Sequence, residues 1–300
     1  MRKYLQFIAQ YSRIKYNKLK KVIKMTINYG SPSHIAYILI ALVFAFALYF
    51  VFRGRSKRAQ KILILTLMCL NVIQHVFKSY IYPQHFGEGF NALTTAYNMC
   101  ATLILLSPIV FLTRVKFLRD FVFYGGAVAG MIAILVPYWN IGMSALSWEV
   151  YRFFICHALL FASSLLTLLF GFHKASFRSA FGFAPAFFLA IGVIILNDII
   201  CIKCGAYIGT DGLSLLDALY FVNPTWSFGP PESFAWLLSL AEALAPDVLV
   251  YMPDGRCVPV LWYFIPIFII MTLVGLVVCA LTDKEGFRKD MQKLRAMFKK

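Results

Sequence analysis

The chain has 300 residues, 61% of them hydrophobic and only 14% charged, with a mean hydropathy of +0.74. A water-soluble globule, a disordered chain, a collagen-like repeat and a coiled coil are excluded by these figures. The net charge of +16 would also suit a nucleic-acid binder, but its placement in loops beside apolar runs argues against nucleic acid as a partner.

Runs of about 20 apolar residues span a ~30 Å hydrocarbon core as helices. Seven are expected: 33–52, 61–82, 94–113, 121–139, 149–172, 179–201 and 258–281. None alternates strictly, so a barrel is not expected. The predicted fold is an all-α, polytopic membrane bundle over 31–282. An N-terminal extension (1–30) precedes it and a basic tail (283–300) follows. The longest extramembrane loop is 202–257. Within it the apolar stretch 233–245 is too short for a span and reads as an interfacial or re-entrant helix.

Charge predicts the orientation. Arg53, Arg55, Lys57, Arg58 and Lys61 follow span 1, Arg114, Lys116 and Arg119 follow span 3, and Lys174 and Arg178 follow span 5. Lys284, Arg288, Lys289, Lys293 and Arg295 follow span 7, on the same side. The positive-inside rule makes that side cytoplasmic and the N-terminus external, in the cell membrane. Residues 1–24 disagree, for they carry half the net charge and no acid. They could form a basic interfacial helix, or mark an error in the topology. The favoured reading is that translation begins at Met25.

Polar side chains are expensive inside a bilayer and gather where a bundle has an interior or a site. Cys100 lies roughly 10 Å below the outer end of span 3, and His157 roughly 12 Å down span 5. Asn71, Gln74, His75 and Lys78 fall in the outer half of span 2, Asn197 and Asp198 at the outer end of span 6, and Glu149 and Arg152 at the start of span 5. Independent helices thus place their polar residues at one depth.

A thiol beside an imidazole is the minimum for nucleophilic acyl chemistry, and an Asn or Asp can orient the imidazole. Cys100, His157 and Asn197 or Asp198 can take those parts, with Asn98, His75 and Arg152 as substrate contacts. The plainer readings are a buried cysteine and interhelical hydrogen-bonding histidines. His75 is a second candidate base, although its QHVFK context also fits packing with Lys78 snorkelling outward. Ser33 and His34 could cap span 1 or line an entrance. His85 and His173 lie in loops and carry no signal.

Gly126 and Gly130 form a GxxxG that reads as helix packing. Pro108, Pro137, Pro185 and Pro266 are expected to kink their spans. Cys201, Cys204 and Cys257 could pair in an oxidising exterior or remain free thiols. No phosphate loop, HExxH or GxSxG string occurs, and neither a metal nor a cofactor is expected.

The stretches SPSHIAYILIAL (31–42), YNMCATLILLSPIVFLTR (97–114), FYGGAVAGMIAILVPYWN (123–140) and YRFFICHALLF (151–161) resemble the YwaF-like family of bacterial integral membrane proteins. That family is related to an animal transmembrane acyltransferase of ether phospholipids. The resemblance covers about residues 30–281. It implies seven spans and a membrane-embedded Cys/His site matching Cys100 and His157. The family pattern commonly has His two residues before the Cys, and here that position is Asn98. The functional expectation is a lipid-directed acyltransferase or hydrolase working through a Cys thioester, with membrane lipid as its partner. A transporter, ligand-binding bundle or purely structural membrane protein is the alternative.

Overall fold

Helix starts follow from local chemistry. Ser31 Oγ accepts the His34 N–H at 3.3 Å, and Pro32 occupies the first position, where its missing donor costs nothing. α1 runs Pro32–Phe52. Ser56 caps α2, Lys57–Val76, by accepting from the Ala59 N–H. In a computed structural model of the chain the described residues are 25–81, 91–113, 115–174, 181–207, 210–223, 225–230, 236–245, 247, 250–251, 258–282 and 284–297.

The remaining elements are α3 (Lys78–Ile81), a 3₁₀ turn (Ala92–Thr94), α4 (Met99–Leu112), α5 (Lys116–Leu135), a second 3₁₀ turn (Tyr138–Asn140), α6 (Trp148–Leu169) and α7 (Phe183–Lys203). Then come α8 (Leu215–Val222), α9 (Leu238–Leu244), a two-residue antiparallel pair of β1 (Val250–Tyr251) and β2 (Val258–Pro259), α10 (Phe264–Thr282) and α11 (Lys284–Met297). The architecture is all-α. Among the described residues six helical stretches are long and apolar enough to cross a membrane: α1, α2, 92–112, 116–140, α6 and α7. The seventh expected span, 258–281, begins instead with β2 and a turn, and its helix, α10, starts at Phe264 and runs to Thr282. Residues 1–24, His85, Arg114, Arg178 and Cys257 lie outside the described residues. Residues 25–27, counted with the N-terminal extension, pair with the loop after α5: Ile27 exchanges backbone bonds with Gly142 and Met143. Of the expected helix 233–245, residues 233–235 lie outside the described residues, and the rest is α-helical over 238–244.

Two helices stop at glycine. Gly171 (φ 71°) and Gly205 (φ 67°) follow α6 and α7 in the left-handed conformation that a Cβ disfavours. In each case the two N–H groups beyond the helix fold back, Phe172 to Thr167 and Gly171 to Leu168 in α6, Ala206 to Cys201 and Gly205 to Ile202 in α7. This is the Schellman pattern, and it satisfies carbonyls that the helix end would strand.

Of the four prolines, only Pro108 lies inside a helix. It cannot donate to the Ile104 carbonyl, and the Ser107 hydroxyl donates there at 3.0 Å instead. Pro185 and Pro266 sit in first turns, where a donor is not needed, and Pro137 falls after the end of α5. The expected kinks at these three are therefore helix ends, not bends.

α6 is the central helix. It packs on α5, α2 and α1, and half of its apolar window is buried (50%) against 11% for α1. The main core joins Ile64, Met68, Leu103, Phe123, Leu160 and Leu166 from α2, α4, α5 and α6. α7 packs against α10, α8 and α5. The GxxxG sits at the α5–α6 crossing. A Cβ on Gly126 would meet Ser164 Oγ at 2.4 Å, and one on Gly130 would meet the Phe161 nitrogen at 2.8 Å. Small residues are what let these two backbones touch.

The helices alternate in direction, so the heads of α1, α4 and α6 share one end of the bundle with the tails of α2, α5 and α7. The other end is basic. There Lys57 donates to the Phe170 carbonyl, and Arg119 Nη2 to the Phe172 carbonyl at 2.8 Å. Both cations serve the C-terminal end of α6, which favours positive charge.

Candidate functional site

The turn 91–98 delivers Cys100. Asn91 Oδ1 accepts the Leu93 N–H at 2.8 Å and starts the 3₁₀ turn. Asn98 is the N-cap of α4: its Oδ1 accepts the Ala101 N–H at 2.8 Å, and its carbonyl receives the Thr102 hydroxyl at 3.0 Å. Asn98 therefore has a structural task where a substrate contact was expected. Cys100 follows as the second residue of the helix, half-buried, with a free thiol. At that position the backbone N–H groups of Met99 and Cys100 have no acceptor within their own helix.

Thr95 ties the same turn to two other helices. Its carbonyl accepts His75 Nε2–H at 2.9 Å, and its hydroxyl oxygen accepts Asn197 Nδ2–H at 2.9 Å. Asn197 also reaches Cys201 Sγ at 3.7 Å. Asp198, buried at 2% exposure, accepts from the Tyr207 hydroxyl at 2.7 Å. Burial, then the bond to Asp198, holds the Tyr207 phenol above the ordinary tyrosine range. Asn197 and Asp198 are thus engaged with Thr95 and Tyr207, and neither bonds His157. Cys201 and Cys204 are both free thiols.

α2 contributes a polar ladder. Asn71 Nδ2 donates to the Cys156 carbonyl at 3.0 Å and Gln74 Nε2 to Asn71 Oδ1 at 2.6 Å. The His75 ring lies parallel to Tyr97, with centroids 6.4 Å apart. Lys78 does not snorkel outward. It is 1% exposed, with Nζ 4.9 Å from the Tyr97 ring centre.

α6 carries Arg152, Cys156 and His157. His157 Nδ1 lies 2.8 Å from the Phe153 carbonyl one turn back, and its ring packs 4.3 Å from the Phe153 ring. A carbonyl only accepts, so Nδ1 carries the proton and, in the neutral ring, Nε2 carries the lone pair. The helix itself orients this imidazole, in place of the expected Asn197 or Asp198. Gly130 fixes its height, for a Cβ there would sit 2.9 Å from the His157 carbonyl oxygen. Arg152 lies within electrostatic range of His75, Lys78, Tyr97, Cys156 and His157, and the Cys100 and Cys156 thiols lie within range of one another.

Polar residues of α2, α4, α6 and α7 therefore meet at one end of the bundle. Among the described residues no three His, Cys, Asp or Glu side chains converge as metal ligands would. An open apolar furrow lies apart from the site, along α2 beside Ile62, Leu65, Cys69 and Ile73. His34 is structural: Nε2–H donates to the Ile134 carbonyl at 2.9 Å and Nδ1 accepts the Gly30 N–H. Ser31, not Ser33, caps the helix.

One pair escaped the sequence reading. His173 Nε2 meets Asp120 Oδ1 at 2.5 Å at the basic end, with exposures of 7% and 1%. Asp120 Oδ2 is buried without a hydrogen-bond partner. Asp120 heads a predicted span, a costly place for a carboxylate, and that cost was the one available signal.

A family model described as the TMEM164 family matches residues 29–219. The chain belongs to the TMEM164 family. It is an integral membrane protein. No curated protein and no solved structure matches it. The TMEM164-family region takes in α1 to α7 and every side chain of the polar cluster, whereas α9 to α11 lie beyond it.

Proposed function

We propose that this TMEM164-family protein is a lipid-directed acyltransferase or hydrolase that carries the acyl group as a thioester on Cys100. The reading rests on one observation: the Phe153 carbonyl fixes the His157 tautomer with Nε2 bare, at the same end of the bundle as a thiol in the first turn of α4. The YwaF-like resemblance, with its animal acyltransferase relative, supports it. The bias of basic residues toward the opposite end supports an orientation with this end at the outer leaflet of the cell membrane.

In this reading His157 Nε2 takes the Cys100 proton, and the thiolate attacks the carbonyl carbon of a lipid ester. The first-turn N–H groups of Met99 and Cys100 receive the oxyanion of the tetrahedral intermediate. The alkoxide leaves with the proton from the imidazolium, and the acyl group stays on sulfur. A lipid hydroxyl, or water, then gives its proton to Nε2 and attacks the thioester. The C–S bond breaks, and sulfur recovers its proton. Asn197 acts at a distance, holding through Thr95 the turn that presents Cys100. Apolar side chains of α4, α6 and α7 hold the acyl tail.

The test is turnover of purified protein in a lipid-remodelling assay, with Cys100→Ser and His157→Ala. Both variants should lose at least a hundredfold. Unchanged turnover in both ends the proposal. The rival reading, a bundle that binds lipid without chemistry, is favoured by the buried Lys78 over the Tyr97 ring. An activated fatty acyl probe separates the two: labelling that disappears in Cys100→Ser supports the thioester, and no labelling supports the rival.

A further inference from the structure

The segment 284–297 reads KEGFRKDMQKLRAM, with five cations and two acids in its fourteen residues. Its large apolar residues recur at helical spacing: Phe287, Met291, Leu294 and Met297 fall along one side of α11. By the same spacing Lys284, Arg288 and Arg295 line one border of this stripe and Lys293 the other. Glu285 lies on the opposite side, where its carboxylate pairs with Lys289 at 2.8 Å and both side chains are largely exposed. Asp290 is the single acid of α11 beside the stripe. An insertion signal depends on how many cations follow a span, not on where they stand round a helix. The amphipathic order of α11 therefore has a separate cause.

α11 has no buried residue, and Met297 is 72% exposed. A helix of this length is marginal in water unless something covers its apolar side. It follows α10, whose Met271 and Leu276 pack in one cluster with Phe183 at the head of α7 and Leu168 in the last turn of α6. α11 thus leaves the bundle at its basic end, where Lys57 and Arg119 stand. The headgroup layer is what borders an integral membrane protein at that level. An apolar stripe bordered by cations fits that layer where its lipids are anionic: the stripe enters the acyl boundary and the cations meet phosphate.

We infer that α11 docks on the membrane surface at the basic end of the bundle and selects anionic phospholipids there. The lipid is a surface in this role and not a substrate, so the inference is independent of the acyl chemistry. Arg288, Arg295 and Lys293 hold headgroups on either side of the stripe, and Met291, Leu294 and Met297 enter the acyl boundary. Asp290 opposes them and limits the affinity.

The experiment follows amide hydrogen exchange of residues 284–297 in the purified full chain. The protein is held in nanodiscs of phosphatidylcholine alone, in nanodiscs of equal parts phosphatidylcholine and phosphatidylglycerol, and in neutral detergent. Exchange should be about tenfold slower in the anionic discs than in the neutral ones, the effect of one or two cations near a charged surface. Arg288→Gln combined with Arg295→Gln should remove that difference, and high salt should do the same. Asp290→Asn should enlarge it, a gain that lost folding does not produce. Leu294→Gln should speed exchange in both kinds of disc. Exchange in α5 and α6 should be the same throughout, the sign of an intact bundle. Cys100→Ser should match the unmodified protein, so a failed acyl-transfer reading leaves this result standing. Equal exchange in the two kinds of disc overturns the inference. Protection in detergent as strong as in the anionic discs means that α11 is covered by its own chain, and overturns it too. Fast exchange in both discs that slows only with added polyglutamate assigns the face to an acidic protein and overturns the membrane version.

Discussion

A Cβ added to Gly130 would stand 2.9 Å from the carbonyl oxygen of His157, closer than such atoms come in ordinary packing. A close approach of α5 to α6 is thereby made at the backbone of the residue whose imidazole is the candidate base. Packing and chemistry share one position. Gly130→Ala must push α6 away, at a cost of about 1–3 kcal/mol from overpacking. We expect a lower thermal midpoint in detergent and a larger fall in turnover than the stability loss explains. Gly192, around which a Cβ meets nothing within 4 Å, is the control: Gly192→Ala should leave both unchanged.

Asn98 gives a second prediction. As the N-cap of α4 it should tolerate Ser or Asp and resist Ala. Asn98→Ala is expected to lose about 1 kcal/mol. Denaturant or thermal unfolding measures the loss. If Asn98→Asp behaves like Asn98→Ala, the capping role is wrong.

The Asp120–His173 pair gives a third. Removing His173 leaves a buried carboxylate with no partner on either oxygen, and His173→Ala is expected to cost ~3–5 kcal/mol. Asp120→Ala in addition removes the stranded charge. The double variant should recover part of the loss, and a double-mutant cycle on unfolding free energies reads the coupling. A coupling near zero contradicts the geometry.

Tyr207 gives a pH dependence. Its phenol, held above the ordinary value of 10.0 by burial and by Asp198, keeps its proton in the fold longer than in the unfolded chain. That stabilisation is complete below about pH 10 and is lost as pH rises above it. Tyr207→Phe should therefore be less stable than the parent at neutral pH, and the gap should narrow in unfolding curves taken toward pH 11.5. A gap that widens with pH reverses the sign and refutes the assignment.

The spans were legible because about 20 apolar residues have few other uses. α1, α2 together with α3, α6 and α7 fall within four residues of where the apolar runs place them. The gathering of polar side chains at one end was legible too, since depth follows from counting along alternating helices. What depth cannot give is the face. Sequence placed Asn197, Asp198 and His157 together, but rotation about each helix axis turns the first toward Thr95, the second toward Tyr207 and the third back onto Phe153. Lys78 looked like a snorkelling residue because the sequence does not show that Tyr97 arrives beneath it. His173 and Asp120, 53 positions apart, carried no local pattern, and only the folded chain brings them together. Pro185 and Pro266 were misread for a simpler reason: the helices start four and six residues after the points where hydropathy alone would put them, and a proline in a first turn bends nothing.

The cations at the basic end have a double duty that bears on any effort to invert this protein in a bilayer. Lys57 and Arg119 donate to the Phe170 and Phe172 carbonyls beyond the last turns of α6, so exchanging them would strip two backbone oxygens of their donors along with shifting the insertion signal. Arg55 and Lys61, exposed on the same side, carry sign without that attachment. Charge reversal at those two sites is the clean way to ask which leaflet each face of the bundle meets.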